Sequence, residues 1–141
     1  MQLVFLDEFP QAIDSLAPAL WAEWGVHDGL TLEQVRARLA ACLHRGRLPM
    51  MLIARDGDQV LGSAGLDKDP VVGRNGLGPW LGALWVRPES RRRGYGALLI
   101  DAAARIAADL GIMELYAATS TADRLFRLAG WREVERLEPA P

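Results

Sequence analysis

The N-terminal quarter of the chain carries a short apolar segment followed by a helical pattern. Residues 1–6 are mostly apolar, which predicts a first strand. After Pro10, apolar residues recur at steps of three and four, as Ile13, Leu16, Ala17, Leu20 and Trp24. This spacing predicts a helix that ends at Gly25 and buries Trp24 in the core.

A second helical pattern begins at Thr31. Gln34 follows three residues later, which is the spacing of a capping box, in which each side chain accepts a hydrogen bond from the other residue's backbone amide. The apolar positions of this helix are Leu32, Val35, Leu39 and Leu43. Gly46 and Pro49 mark its end, so we expect Leu43 to share the buried face.

The middle of the chain predicts strands rather than helices. Three apolar segments cover residues 50–54, 60–66 and 79–86. Asp56, Gly57 and Asp58 lie between the first two segments and predict a hairpin turn. Residues 67–78 are rich in glycine, proline, asparagine and aspartate, which predicts a loop. Pro88 blocks continuation of the third segment.

Two helices and two further strands are predicted in the C-terminal part. The helices cover 96–110 and 121–129, and the strands cover 112–118 and 131–137. One face of the longer helix contains Leu98, Leu99, Ala102, Ile106 and Leu110. The resulting order, β-α-α-β-β-β-α-β-α-β, combines consecutive antiparallel strands with a parallel crossover. It predicts an α+β fold in which residues 1–141 form one domain, with a mixed, mostly antiparallel sheet flanked by helices.

Composition and charge exclude several classes of protein. Half of the 141 residues are hydrophobic and the formal net charge is −2. Because the only dense basic run is Arg91 to Arg93, we expect no nucleic-acid partner. No apolar run approaches the roughly 20 residues of a membrane-spanning helix, and the N-terminus lacks the basic leader of a signal peptide. We therefore expect no membrane partner.

Cysteine and histidine are scarce in the sequence. The single cysteine, Cys42, cannot form an internal disulfide, which favours a reducing compartment and predicts a cytoplasmic protein. The two histidines and the cysteine lie at scattered positions, so no metal site is predicted.

The segment after the fourth predicted strand carries the strongest chemical signal. Three arginines, Arg91 to Arg93, precede Gly94 and Gly96, and a long helix follows. The first amides of a helix have no internal partners and bind phosphate, and arginine side chains add charge complementarity. Leu99 replaces the third glycine of a dinucleotide-binding fingerprint, and no P-loop pattern is present. The residues therefore predict a phosphate site of another kind; the alternative is a solvated arginine run at a helix cap.

This segment resembles the acetyl-CoA pyrophosphate loop of the GNAT superfamily of N-acetyltransferases, which reads Q/R-x-x-G-x-G/A. The matching residues are Arg91-x-x-Gly94-x-Gly96, preceded by Val86-x-Pro88-Glu89-x-Arg91. Ala129-Gly130-Trp131 is similar to the turn that ends the last helix of the family. The resemblance is good over residues 50–137, and Pro79-Trp80-Leu81 indicates a subgroup of small, bacterial-type members.

The resemblance implies an activity and a binding site. Family members transfer an acetyl group from acetyl-CoA to a primary amine by direct attack, and the cofactor lies between the fourth and fifth strands. For this chain it implies a small-molecule or peptide amine as acceptor. The implied cofactor-binding residues are Leu84, Trp85, Val86, Arg91, Arg92, Arg93, Gly94, Tyr95, Gly96, Ala97, Thr119 and Phe126.

The sequence departs from the family pattern at the positions expected to move protons. Phe126 stands where many members have a tyrosine that protonates the leaving thiolate, and Thr119 stands where an asparagine is frequent. Tyr116 is the nearest candidate acid, and strand-end packing is its alternative role. His27 is a candidate base, because an imidazole can accept a proton, although a loop histidine is usually solvated. These departures leave open a non-catalytic acyl-CoA-binding or regulatory module.

Two further expectations concern the acceptor and the assembly. Trp21 and Trp80 are candidate walls of an acceptor pocket, with core packing as the alternative. Family sheets commonly finish with two strands, and only one, over 131–137, is predicted here. One C-terminal strand therefore looks absent. The free edge of the fifth strand would then pair directly with the last strand or be covered by a second subunit, and we expect a homodimer.

Overall fold

A computed structural model describes residues 1–68, 77–119 and 122–134. The strands and helices are β1 (Gln2–Phe5), α1 (Ala12–Leu20), α2 (Leu32–Ala40), β2 (Met50–Asp56), β3 (Gln59–Asp67), β4 (Trp80–Val86), α3 (Tyr95–Asp109), β5 (Tyr116–Ala117) and α4 (Asp123–Leu128). Short 3-10 turns cover Leu6–Glu8 and Pro88–Ser90, and a π-helical turn covers Trp21–Gly25. None of the helices in the described residues is both long and apolar enough to cross a lipid bilayer.

The five strands form one open sheet in the order β1-β2-β3-β4-β5. The first four pair antiparallel, and the turn between β2 and β3 lies at Asp56–Asp58, as predicted. β5 pairs parallel with β4, because α3 carries the chain back across the sheet between them. The predicted mixed, mostly antiparallel α+β sheet is confirmed.

Helices cover both faces of the sheet, and each face has its own apolar core. α1 and α2 pack on one face, where Leu6, Phe9 and Leu16 are fully buried. α3 and α4 pack on the other, around Leu99 and Ile100. Alternate residues of β4 point to the two cores. Ala83 and Trp85 contact the α1–α2 core, whereas Leu84 and Val86 contact the α3–α4 core.

The start of α2 is as predicted, but its end is not. Thr31 Oγ1 accepts from the Gln34 amide at 3.1 Å, and Gln34 Oε1 accepts from the Thr31 amide at 2.8 Å, which completes the capping box. The helix ends at Ala40, so Leu43 lies beyond it and helical spacing no longer places Leu43 on the same face as Leu39. Leu43 is exposed and Cys42 is buried instead. The expected burial of Leu43 was wrong.

The end of the first helix also departs from the predicted pattern. The Val26 amide donates to the Trp21 carbonyl at 2.8 Å, five residues back, which widens the last turn into a π-helical turn. A wider turn rotates the residues that follow, so Trp24 leaves the buried stripe and is 41% exposed. The prediction that Trp24 packs in the core was wrong for this reason.

The C-terminal elements are shorter or rotated relative to the prediction. In α3 the buried residues are Leu99, Ile100, Ala103 and Ala107, and Leu98 is exposed. β5 has two residues where seven were predicted, because its partner β4 diverges from it after two pairs. Residues 131–134 form no strand, and the rest of the predicted strand, 135–137, lies outside the described residues.

Candidate functional site

A gap opens between β4 and β5, the last two strands of the sheet in the described residues. The two strands pair only through Trp80 with Tyr116 and Leu81 with Ala117. β4 continues to Val86, so within the described residues its second half has β3 on one side and no paired strand on the other. This geometry matches the strand separation that the family resemblance implies.

A bulge in β4 lies at the start of this gap. The register against β3 shifts between Ser63 and Gly65, so Ala83 and Leu84 together oppose one β3 residue. Ala83 has φ +50°, in the left-handed region that is uncommon for a residue with a side chain. Ser63 Oγ donates to the Ala83 carbonyl at 2.8 Å.

The predicted phosphate site lies at the N-terminus of α3. The first hydrogen bond of the helix runs from the Leu98 amide to the Gly94 carbonyl, at 3.1 Å. The amides of Tyr95, Gly96 and Ala97 therefore have no helical acceptor, and Gly94 supplies no side-chain cap. Left-handed backbone at Gly94, with φ +84°, turns the chain into the helix. Unpaired amides at the positive end of a helix form an anion site.

The three arginines at this helix end are exposed but differ in what they contact. Arg91 Nε donates to the Val86 carbonyl at 2.9 Å, which ties the loop to the end of β4. The guanidinium groups of Arg92 and Arg93 have neither a hydrogen bond nor an ion pair with any described residue. Their charge is therefore available to a bound anion.

The two glycines of the motif have different surroundings. A side chain added at Gly94 would meet no atom within 4 Å, so the space beside it is open. A side chain added at Gly96 would lie 2.9 Å from Leu125 Cδ2 of α4. Gly94 therefore leaves room at the candidate phosphate site, whereas Gly96 lets α4 pack against the first turn of α3.

Tyr116 lies beside the point where β4 and β5 separate. Its ring packs on Trp80, with centroids 5.7 Å apart, and its hydroxyl donates to Glu114 Oε2 at 3.1 Å. The hydrogen bond to Glu114 raises the pKa of the Tyr116 phenol, and desolvation and the negative charge of Glu114 act in the same direction. The phenol thus keeps its proton at neutral pH. His27 is exposed after the π-helical turn, and its side chain makes no polar contact with the described residues.

Both candidate tryptophans are held through their indole nitrogens. Trp21 Nε1 donates to the Leu30 carbonyl at 2.8 Å, and Trp80 Nε1 donates to the Leu77 carbonyl at 3.1 Å. Trp80 is buried, whereas Trp21 is partly exposed. Trp24, which was expected inside, offers more exposed aromatic surface than either.

Thr119 and Phe126 hold α4 in position. Thr119 Oγ1 accepts from the Ala122 amide at 2.8 Å, just before the helix begins. Phe126 is buried in the α3–α4 core, edge-to-face with Trp131 at 4.9 Å between centroids. Their part in cofactor binding stays a prediction. Among the described residues, no group of three or more His, Cys, Asp or Glu side chains is placed to hold a metal ion.

Ser63 and the bulge that it contacts were not predicted from the sequence. A signal was present, because Ser63 is the polar residue of an apolar strand and lies between Gly62 and Gly65. The backbone conformation of Ala83 had no such signal, since alanine is common in ordinary strands and helices.

Comparison with known proteins agrees with this geometry. The family model of the acetyltransferase (GNAT) family matches residues 13–131. The aminoglycoside N-acetyltransferase AAC(6')-Iy in complex with CoA superposes with a TM-score of 0.76, at 20% identity over 99% of this chain and 93% of that chain. The same enzyme with the bisubstrate analogue CoA-S-monomethyl-acetylneamine superposes with a TM-score of 0.74, at 20% identity over 99% and 96% of the two chains.

A more distant structure has the acetyl donor bound. A predicted acetyltransferase from Clostridium acetobutylicum with acetyl-CoA superposes with a TM-score of 0.68, at 13% identity over 99% of this chain and 96% of that chain. A search of curated proteins found no match. At these identities the structural comparisons establish the fold, and the family model covers most of the sequence. The chain therefore belongs to the GNAT family of acetyltransferases.

Proposed function

We propose that this protein is an N-acetyltransferase that transfers an acetyl group from acetyl-CoA to the primary amine of a small molecule or peptide. The observation that carries the proposal is that a candidate anion site lies next to the unpaired end of β4. The amides of Tyr95, Gly96 and Ala97 have no helical acceptor, and Arg91 Nε ties the preceding loop to the Val86 carbonyl of β4 at 2.9 Å.

The residues at this site fit acetyl-CoA as the co-substrate. The amides at the start of α3, with the charges of Arg92 and Arg93, would bind the pyrophosphate. The backbone of Leu84 to Val86 has no strand on its β5 side among the described residues, so it would bind the extended pantetheine arm as a paired strand would. CoA and acetyl-CoA are present in complexes of proteins with the same fold, which supports this assignment.

The acceptor in this proposal is a small-molecule or peptide amine. AAC(6')-Iy, which shares the fold, is an aminoglycoside N-acetyltransferase and binds a bisubstrate analogue that joins CoA to an acetylneamine group. At 20% identity that similarity supports an amine acceptor without identifying it. Trp21, which is partly exposed, and Trp80, which is buried, remain the proposed apolar walls for the acceptor.

Direct attack of the amine requires two proton movements. As the new C–N bond forms and the thioester C–S bond breaks, the amine loses a proton and the thiolate gains one. We assign the proton donor to Tyr116, which lies in the short paired segment before β4 and β5 separate and keeps its proton at neutral pH. His27 is the candidate base for the acceptor amine, because it is exposed and unpaired among the described residues.

The second candidate function is an acyl-CoA-binding module without catalysis. Phe126 favours it, because the position where many family members have a tyrosine is here a buried phenyl ring without a proton to donate. Both functions require acetyl-CoA binding at the N-terminus of α3, so binding alone does not separate them. Turnover does.

The deciding experiment measures thiol release from acetyl-CoA with a panel of amines that includes aminoglycosides, polyamines and peptide N-termini. Gly94→Glu adds a negative charge at the phosphate site, and we expect it to weaken acetyl-CoA binding at least about tenfold, roughly 1.4 kcal/mol. The matched control is Gly111→Glu at the other end of α3, where the glycine is also left-handed, at φ +82°, with open space around it.

Three outcomes are distinguished by this panel. Turnover that Gly94→Glu removes and Gly111→Glu retains supports the enzyme. Tight acetyl-CoA binding without turnover of any amine supports the binding module. Absence of acetyl-CoA binding contradicts both.

We also propose a cytoplasmic location, a single domain over residues 1–141 and a homodimer.

A further inference from the structure

A buried hydroxyl lies next to the bulge of β4. Ser63 in β3 is 0% exposed, and the only other buried polar side chain in the described part of the chain is Ser90. A buried hydroxyl requires a hydrogen-bond partner, and the partner of Ser63 is the Ala83 carbonyl, at 2.8 Å. The hydroxyl of this serine, inside an otherwise apolar strand, thus forms its hydrogen bond with one backbone atom of the neighbouring strand.

That backbone atom belongs to the residue with the least favourable backbone conformation in β4. Ala83 has φ +50°, and a side chain disfavours this region, which persists only where the surrounding structure supports it. β3 and β4 lie so close together beside the bulge that a side chain at Gly62 would be 2.6 Å from the Trp85 carbonyl. The Ser63 hydroxyl supplies the directed support that packing alone does not.

The direction of the Ala83 carbonyl determines where the next amide points. In a trans peptide the C=O and the following N–H point in opposite directions. With the Ala83 carbonyl held toward β3, the Leu84 N–H points to the other side of β4, where the gap lies. The alternation of amide directions along β4 agrees with this. The Arg87 amide points toward β3, because it donates to the Leu61 carbonyl at 2.7 Å. Leu84 lies three residues earlier, so its amide points to the side away from β3.

We propose that Ser63 is a positioning residue, whose hydrogen bond to Ala83 aims the Leu84 N–H into the gap to donate to the thioester carbonyl of the acetyl donor. This inference rests on the proposed function, and it adds a residue outside the gap on which the geometry of the gap depends. A preorganised backbone donor acts on charge that develops on the carbonyl oxygen, so its loss affects the reaction more than the binding of CoA.

The test compares Ser63→Ala with a control in the same strand. We expect Ser63→Ala to lower kcat roughly three- to tenfold, which corresponds to the loss of one hydrogen bond, and to lower the affinity for acetyl-CoA relative to CoA, which lacks the thioester carbonyl. Val60→Ala, at a buried position near the start of β3, should reduce the thermal stability while leaving kcat and this affinity ratio unchanged. Ser63→Cys keeps a small side chain with a weak donor and serves if Ser63→Ala does not fold.

A second substitution separates positioning from a general loss of stability. Glycine accepts the left-handed conformation without support, so Ser63→Ala combined with Ala83→Gly should regain at least half of the lost kcat. The Cα chemical shift of Ala83, which depends on φ, should change in Ser63→Ala and stay unchanged in Val60→Ala.

The outcomes separate this inference from the proposed function. If Ser63→Ala loses only stability, as Val60→Ala does, or if Ala83→Gly restores nothing, Ser63 is a structural residue and the inference is wrong. If the unsubstituted protein binds acetyl-CoA but acetylates no amine, the proposed function fails. The affinity ratio and the Ala83 chemical shift then still test Ser63.

Discussion

Tyr116, the proposed proton donor, makes one aromatic and one polar contact. Its ring packs on Trp80 and its hydroxyl donates to Glu114, so substitutions can remove the two contacts separately. Because the pKa of the phenol is raised, the protonated form that can act as an acid persists above the ordinary range of tyrosine.

Substitution of Tyr116 tests its proposed role as proton donor. Tyr116→Phe retains the ring on Trp80 and should lower kcat on the order of 10²-fold with little change in acetyl-CoA affinity. Glu114→Gln removes the charged acceptor that raises the pKa of Tyr116. The decline of kcat at alkaline pH should therefore begin at lower pH in Glu114→Gln than in the unsubstituted protein. An unchanged kcat in Tyr116→Phe would contradict the assignment.

At the level of elements, the contact between α3 and α4 couples the candidate phosphate site to the last helix. Gly96 lies in the first turn of α3, and Leu125 Cδ2 of α4 occupies the space that a side chain there would need. Phe126 and Trp131 then hold α4 in the core on the same face of the sheet. The α4 helix thus supports the helix end whose amides would bind the pyrophosphate.

A double-mutant cycle measures this contact. Alanine has a helix propensity about 1 kcal/mol better than glycine, but overpacking costs about 1–3 kcal/mol, so Gly96→Ala alone should lower the free energy of unfolding. In a Leu125→Ala background the same substitution should raise it by up to about 1 kcal/mol. Leu128→Ala, which is exposed on α4, is the control background in which Gly96→Ala should remain destabilising. Additivity of Gly96→Ala and Leu125→Ala would contradict the contact.

At the level of the whole molecule, exposed apolar side chains occur in the C-terminal part of the chain. Met113 is 95% exposed, Leu128 is 74% exposed and Val134 is 66% exposed. β5 is an edge of the sheet in the described residues. An unpaired sheet edge and exposed apolar side chains each favour association, which is the physical basis for the proposed homodimer.

Sedimentation at several protein concentrations tests the homodimer. We expect a dimeric mass that the double substitution Met113→Glu and Leu128→Glu shifts toward the monomer, because each change places a charge on the proposed contact surface. Leu43→Glu is the control, since Leu43 is also exposed but follows α2 on the other face of the sheet. A monomeric mass at every concentration would contradict the proposal.

The type and order of the first nine predicted elements agree with the structure, whereas several element ends and buried faces do not. The capping box at Thr31, the hairpin at Gly57 and the helix after Gly94 depend on local backbone chemistry, which neighbouring residues determine. Trp24 and Leu43 were misplaced because a π-helical turn and an early helix end break the regular period on which those predictions depended. The candidate phosphate site was found from the sequence because its residues are consecutive.

The α+β class, the GNAT resemblance and the position of the candidate phosphate loop could be predicted from the sequence, because each depends on residues close together in the chain. Only the folded structure shows where β4 separates from β5, which of the two motif glycines faces open space, and that Ser63 contacts Ala83. These features join residues that are distant in the sequence. Periodicity and motif spacing carry no information about such contacts, because they arise only when the sheet and helices pack together.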